Sequence, residues 1–307
     1  MRVGISLGRD ERRHAADARR AEELGFDQVA VGEHLFFHGP TPNAFVALAA
    51  AAGATERVRL LSSLTIVPVY PAALLAKLVA SLDLVSNGRF DMGVGVGGEY
   101  APEFEAAGVE LASRGAKTDE SLGLLRELFT GERVDFTGRF TRVPGLKLQQ
   151  PPVQRPGPPV WVGGRKPAAM RRAGRYGDVW LPYMYTPEQL ASSLTEINQE
   201  AARVGRGENA VAGALFVWGA IDTDAERARE QVVRFVSEVY QQDFAPLADR
   251  YLLHGTPEGV LARLKDFFDA GADSVVFCPA TADDAQRENM IELLAAQVCP
   301  EVAGWRR

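Results

Sequence analysis

The sequence has 307 residues, 46% hydrophobic and 24% charged. That composition excludes a disordered chain, and the length fits one (β/α)8 barrel of about 250 residues or two ordinary domains. Forty acidic against 34 basic residues give a net charge of −6, which excludes the basic footprint of a general nucleic-acid binder. Two cysteines, Cys278 and Cys299, leave no disulfide scaffold and no cysteine-rich zinc site, and suit a reducing cytosol.

In chain order, Met1 to Asp10 holds too short an apolar stretch for a signal peptide, so a cytoplasmic location is expected. The strand candidates are Arg2–Leu7, Gln28–Gly32, Val58–Thr65, Arg89–Val94, Val160–Gly163, Asp178–Leu181, Val211–Trp218 and Ser274–Cys278. They are apolar runs rather than alternations, as parallel strands covered by helices should be. The uncharged run Leu60 to Ala76 is broken by Pro68 and Pro71 and reads as strand and loop, not as a bilayer span. A unit recurs: Glu22 to Val31 (EELGFDQVAV) and Asp269 to Phe277 (DAGADSVVF) each end a helix on Gly, place an Asp, and enter a strand. Gly174 to Leu181 is a looser copy.

Between the strands, Leu74, Leu78, Leu82 and Val85 form one helical stripe, and Val260, Leu261, Leu264, Phe267 and Phe268 another. Thr186-Pro187-Glu188-Gln189 and Thr223-Asp224-Ala225-Glu226 read as capping boxes, and Thr256-Pro257-Glu258 as a cap with Pro at the first helical position. Eight strands alternating with helices predict a (β/α)8 TIM barrel over residues 1–307 as a single domain. The rival, a doubly wound open sheet, usually carries a Gly-rich turn after its first strand, and Gly8-Arg9-Asp10 is not one. Residues 131–159, rich in Pro and Gly, are expected to form an insertion over the C-terminal mouth.

In such a barrel the C-terminal strand ends carry function. Glu33-His34 after the second strand offers a carboxylate and an imidazole for proton handling; a loop-anchoring histidine is the plainer alternative. Ser62-Ser63-Leu64 after the third leaves room for a ligand ring, or is ordinary turn chemistry. Gly93 to Gly98 lacks dinucleotide-fingerprint spacing but permits close approach of a flat ligand. Gly163-Gly164-Arg165 opens a helix, with Lys166 adjacent, and is the phosphate-cradle candidate beside the alternative of a tight turn. His14, His34, His38 and His254 show no metal-binding spacing on a helix, and no G-x-S-x-G nucleophile elbow occurs.

Together these pieces resemble the luciferase-like monooxygenase superfamily of flavin and deazaflavin enzymes. The resemblance is strongest over Pro71 to Gly97, PAALLAKLVASLDLVSNGRFDMGVGVG, and continues through Glu103 to Val109, Arg114, Thr118-Asp119-Glu120, Pro158 to Gly164 and Arg171 to Asp178. Within it, the sequence is most similar to the coenzyme F420-dependent oxidoreductase branch. The resemblance implies a homodimer whose cofactor ring lies at the barrel mouth. It places Glu33 and His34 beside the ring, Ser62, Ser63 and Leu64 on its face with a bulge or cis peptide there, Val96 and Gly97 nearby, and Gly163, Gly164 and Arg165 at the phosphate. Some family dehydrogenases carry a catalytic Glu after the Gly-rich strand; here Gly98 takes that place with Glu99 beside it, which argues against sugar-phosphate oxidation.

Three functions are carried forward: hydride transfer between coenzyme F420 and a small organic substrate, an FMN-dependent monooxygenase using reduced FMN and oxygen, and a non-catalytic flavin- or deazaflavin-binding protein. Phe36, Phe37, Tyr70, Tyr100, Tyr183 and Tyr185 are candidates for an aromatic lining that suits an uncharged or aromatic substrate. Neither a nucleic-acid nor a membrane partner is expected.

Overall fold

The structure, a computed structural model, describes residues 1–305. Its strands are β1 (Arg2–Ser6), β2 (Gln28–Val31), β3 (Arg59–Ser62), β4 (Thr65–Ile66), β5 (Phe90–Gly95), β6 (Arg133–Thr137), β7 (Arg142–Lys147), β8 (Val160–Gly163), β9 (Val179–Leu181), β10 (Ala212–Ile221), β11 (Leu253–Gly255) and β12 (Ala272–Pro279). Its helices are α1 (His14–Glu23), α2 (Ala44–Ala54), α3 (Ala72–Val85), α4 (Ala101–Ala106), α5 (Arg114–Phe129), α6 (Pro167–Tyr176), α7 (Pro187–Arg203), α8 (Ala225–Tyr240), α9 (Ala248–Tyr251), α10 (Pro257–Asp269), α11 (Asp284–Leu293) and α12 (Cys299–Ala303).

The ring β1-β2-β3-β5-β8-β9-β10-β12 closes back on β1, and every pairing in it is parallel. The eight strands expected from the sequence are these eight, so the fold is the (β/α)8 barrel and not the open sheet. The run Val58–Thr65 does not stay one strand: β3 ends at Ser62, the Ser63–Leu64 peptide is cis, and pairing resumes as β4 against the end of β5. Inside the barrel, Ala30, Leu61, Trp161, Val179, Leu181, Ala214 and Val276 pack together, and a larger apolar layer joins barrel to helices. The barrel floor holds a buried carboxylate: Asp91 accepts from Arg59 Nε at 2.8 Å and from Gln28 Nε2 at 2.7 Å.

The recurrent Asp has a physical task. The Asp27 carboxylate accepts from Val3 N at 2.7 Å, and the Asp178 carboxylate from Val160 N at 2.8 Å. Each satisfies an N–H at the start of a neighbouring strand that the parallel ladder leaves unpaired. Thr186 forms its capping box with Gln189. At α8 the cap is Asp224 rather than Thr223, because the Asp224 carboxylate accepts from Glu226 N and Arg227 N.

Two expectations about placement are corrected. Residues 131–159 do not cross the mouth. Their β6–β7 hairpin lies along α5, where Arg139 N and Phe140 N donate to Glu120. Gln154 then bonds Asp83 and the Phe90 carbonyl at the opposite end of the barrel. The connection from α5 to β8 starts and ends at that floor, so the chain has no cause to climb to the mouth. The rim is built instead by the loops after β2 and β5 and by α8, an insertion between β10 and α10. On α3, the buried face is Leu75, Ala76, Val79 and Leu82, whereas Leu74 and Val85 of the expected stripe are 50% and 63% exposed. These apolar side chains therefore point outward, and Val46 on the neighbouring α2 is exposed as well. No helix among the described residues is long and apolar enough to cross a membrane.

Candidate active site at the barrel mouth

The residues selected at the strand ends converge. Those after β2, β3, β5 and β8 occupy four consecutive positions of the barrel ring, so they form one continuous arc. The arc begins with two adjacent residues that do different things. The Glu33 carboxylate is buried and accepts from Ala44 N at 3.2 Å, Ile66 N at 3.0 Å and Tyr70 Oη at 3.0 Å. It ties the start of α2 to β4. Burial raises its pKa above the usual carboxylate value, against the lowering effect of those hydrogen bonds. Burial, with Glu33 beside it, raises the Tyr70 phenol.

The neighbouring His34 turns the other way. Its Nδ1 lies 3.2 Å from both oxygens of Glu103, its ring stacks on Phe37 at 4.2 Å and 18°, and its side chain keeps 18% exposure. Glu103, on the short α4, is fully buried and also accepts from Leu35 N at 3.2 Å. His38 packs between Phe37 and Tyr100. Sequence reasoning did not place Glu103 in the site; its only signal is membership of the segment that carries the family resemblance.

The centre of the arc is shaped by glycine. Gly93 N donates to Ser62 Oγ at 2.9 Å, and a β-carbon on Gly93 would sit 1.7 Å from the Ser62 carbonyl oxygen. The Leu64 side chain fills the space left by Gly93, Gly95 and Gly163. Ser63 Oγ is buried there with no partner among the described residues. Val96 is half-buried just beyond β5. Gly97 adopts φ 58°, where a β-carbon would meet Ile66 Cγ2 and the Phe104 ring at 2.9 Å. Arg114 braces this loop, Nε to the Gly97 carbonyl at 3.3 Å and Nη1 to that of Leu111 at 2.7 Å.

At the far end Gly163 closes β8, Gly164 takes φ 121°, and Arg165 and Lys166 are exposed. Helix α6 then begins on Pro167 with no side chain capping it. The Arg165 guanidinium lies 4.7 Å from the centre of the Tyr183 ring, and Tyr183 Oη donates to Glu99 at 3.4 Å. The loops after β5, β8 and β9 are thus linked. Across the barrel, Trp218 Nε1 donates to Tyr240 Oη at 3.3 Å, and Trp218 contacts Phe235, over which Arg9 lies. Burial pushes the Cys278 thiol up to about 12, which removes it as a nucleophile at neutral pH. Of the aromatic candidates, Phe37, Tyr100 and Tyr183 belong to the rim. Tyr70 is engaged by Glu33, Tyr185 is buried against Ser193, and Phe36 is exposed.

These residues fit a flat, phosphorylated ring cofactor. The bulge presents Leu64 and the Ser63 hydroxyl, which has no partner among the described residues, and the glycine-led helix start offers N–H groups and a guanidinium to an anion. Among the described residues no group of three or more His, Cys, Asp or Glu side chains is arranged to hold a metal ion.

Comparison with known proteins gives the same direction. The family described as luciferase-like monooxygenase matches residues 2–274. An F420-dependent glucose-6-phosphate dehydrogenase of Nocardia farcinica is 27% identical over 312 residues, covering 92% of this chain and 91% of that protein. The crystal structure of monooxygenase RslO1 from Streptomyces bottropensis superposes with a TM-score of 0.85 at 27% identity, over 98% of this chain and 99% of that one. An F420-dependent secondary alcohol dehydrogenase, solved with an F420–acetone adduct, has the same fold, with a TM-score of 0.85 at 22% identity over 98% of each chain.

Proposed function

The chain belongs to the luciferase-like monooxygenase family, and from that premise we propose that it is an oxidoreductase transferring hydride between coenzyme F420 and a small organic substrate. The observation that carries this reading is the continuous arc from His34 through the Ser62–Leu64 bulge and Gly97 to Gly163-Gly164-Arg165. Its two ends suit the two ends of such a cofactor. When bound, the deazaflavin supplies or accepts the hydride. Leu64 supports the ring, and Arg165 with the start of α6 holds the phosphate. Hydride transfer to a carbonyl or alkene needs one proton, and its reverse releases one. His34 Nε2 exchanges that proton with the substrate. Glu33 keeps the loop that carries His34 in place. The aromatic side chains Phe37, Tyr100 and Trp218 around the rim favour an uncharged or aromatic molecule.

A second reading, an FMN-dependent monooxygenase, is supported by the likeness to the Streptomyces monooxygenase. Binding titrations with coenzyme F420 and with FMN, each oxidised and reduced, separate the two. Affinity for coenzyme F420 is expected; tight FMN binding without it would overturn the first reading in favour of the second. Binding without turnover across a panel of carbonyl compounds and enones would favour a non-catalytic carrier. The outward apolar face of α2 and α3 is proposed to be covered by a second copy of this chain, and the protein to work in the cytoplasm.

A further inference from the structure

We propose that Glu103 is the positioning residue for His34: it sets the imidazole tautomer and so decides which nitrogen meets the substrate. The inference rests on the reading of His34 as the proton-exchanging residue, but its geometry stands apart from any cofactor. Both Glu103 oxygens lie 3.2 Å from His34 Nδ1, and one of them also accepts from Leu35 N at 3.2 Å. The carboxylate is completely buried, and the described residues give it no Arg or Lys partner. An ionised carboxylate only accepts, which places the proton on that side on Nδ1; a protonated Glu103 would donate instead and leave the imidazole proton on Nε2, the outcome that overturns the inference. The nitrogen left over, Nε2, has no protein partner among the described residues and is not sealed from solvent. Phe37, stacked on the ring, limits its rotation. The result is an imidazole held on one edge, clamped on one face and open at Nε2, on the rim of the arc. A carboxylate bonded to one ring nitrogen commonly defines a histidine's tautomer in this manner.

The two residues come from different strand ends, β2 and β5, 69 positions apart. The same carboxylate therefore docks the loop after β5 onto the loop after β2. A purely structural latch would serve that docking equally well with an amide, and this separates the two roles. In Glu103→Gln, Leu35 N–H still needs an acceptor, so the amide oxygen must face it. The amide NH2 then falls where the other carboxylate oxygen was, and donates to Nδ1. The NH2 disfavours a proton on Nδ1, while the amide oxygen kept by Leu35 still lies 3.2 Å from Nδ1 and can accept from it, so the balance shifts toward Nε2–H without being complete.

The test uses the full-length protein with 15N-labelled histidine, His34 being assigned by its loss in His34→Ala. In the wild type, at a pH where His34 is neutral, the Nδ1–H tautomer is expected. In Glu103→Gln the Nε2–H population is expected to rise, and in Glu103→Ala a mixture is expected. A titration with coenzyme F420 runs in parallel, with affinity expected within about threefold of wild type for Glu103→Gln, since Glu103 makes no contact with the phosphate cradle. The inference is overturned if the wild type carries Nε2–H, or if Glu103→Gln leaves the tautomer unchanged. Because the tautomer is read without cofactor, its outcome is independent of whether the protein binds coenzyme F420. Failure of this inference and failure of the proposed function are therefore told apart.

Discussion

Leu64 and Gly163 meet inside the barrel so closely that a β-carbon on Gly163 would lie 2.1 Å from Leu64 Cδ1. The glycine that ends β8 is there to admit the side chain that ends the bulge after β3. Gly163→Ala must displace Leu64, and overpacking of this kind costs about 1–3 kcal/mol. We predict a folded variant with a lowered midpoint of thermal unfolding and at least a tenfold loss of cofactor affinity, measured by fluorescence titration. Unchanged affinity would remove Leu64 as the ring support.

The cradle is better tested at Arg165 than at Gly164. Gly164 adopts φ 121°, and a β-carbon there would sit 2.7 Å from Ala169 Cβ, so any side chain perturbs the turn itself. Arg165 is exposed, and Arg165→Ala should cost at most about 1 kcal/mol of stability, from its lost contact with the Tyr183 ring. Cofactor binding should weaken about tenfold, as loss of one charged hydrogen bond implies. The affinity of the wild type should also fall with added salt more steeply than that of the variant. Equal salt dependence would place the phosphate elsewhere.

His34→Ala should bind the cofactor with near-normal affinity while turnover drops by about 10²–10⁴-fold, the span typical of a lost general acid or base. A matching loss in binding alone would make His34 a ligand contact and not the proton carrier.

Glu33 has a folded-state pKa raised above its unfolded value near 4.5, because burial disfavours its charge. The folded protein therefore retains that proton to higher pH than the unfolded chain does. The stability linked to it is complete below the unfolded pKa and is lost as pH rises through the folded one. Glu33→Gln cannot titrate. Denaturant unfolding from about pH 4 to about pH 8 should show wild-type stability falling relative to the variant as pH increases. A constant difference would show that burial leaves the folded-state pKa at its unfolded value.

The outward face of α2 and α3 carries Val46, Leu74 and Val85 at 65%, 50% and 63% exposure. Val46→Glu combined with Leu74→Glu should convert a dimer to a monomer in sedimentation experiments without unfolding the barrel. A wild type that sediments as a monomer would end the dimer proposal.

The sequence by itself determined the eight barrel strands, their order, and which strand ends carry the arc, because each of these depends on residues close together in the chain. Bounded apolar runs, glycines after helices and the Asp that follows are local signals, and they survive into the structure. Only the tertiary structure decided what adjacent residues do. Glu33 and His34 are neighbours in sequence, yet one faces Ala44, Ile66 and Tyr70 while the other faces Glu103. The stripe on α3 was ambiguous for a related reason: with alanine and leucine on several faces, periodicity does not say which face meets the barrel. The hairpin in 131–159 reads as an insertion from composition alone, but its side of the barrel follows from where α5 ends and β8 begins. Partnerships that span tens of residues depend on how the ring closes. Closure brings the β2 and β5 loops together at the rim, and with them His34 and the buried Glu103 carboxylate.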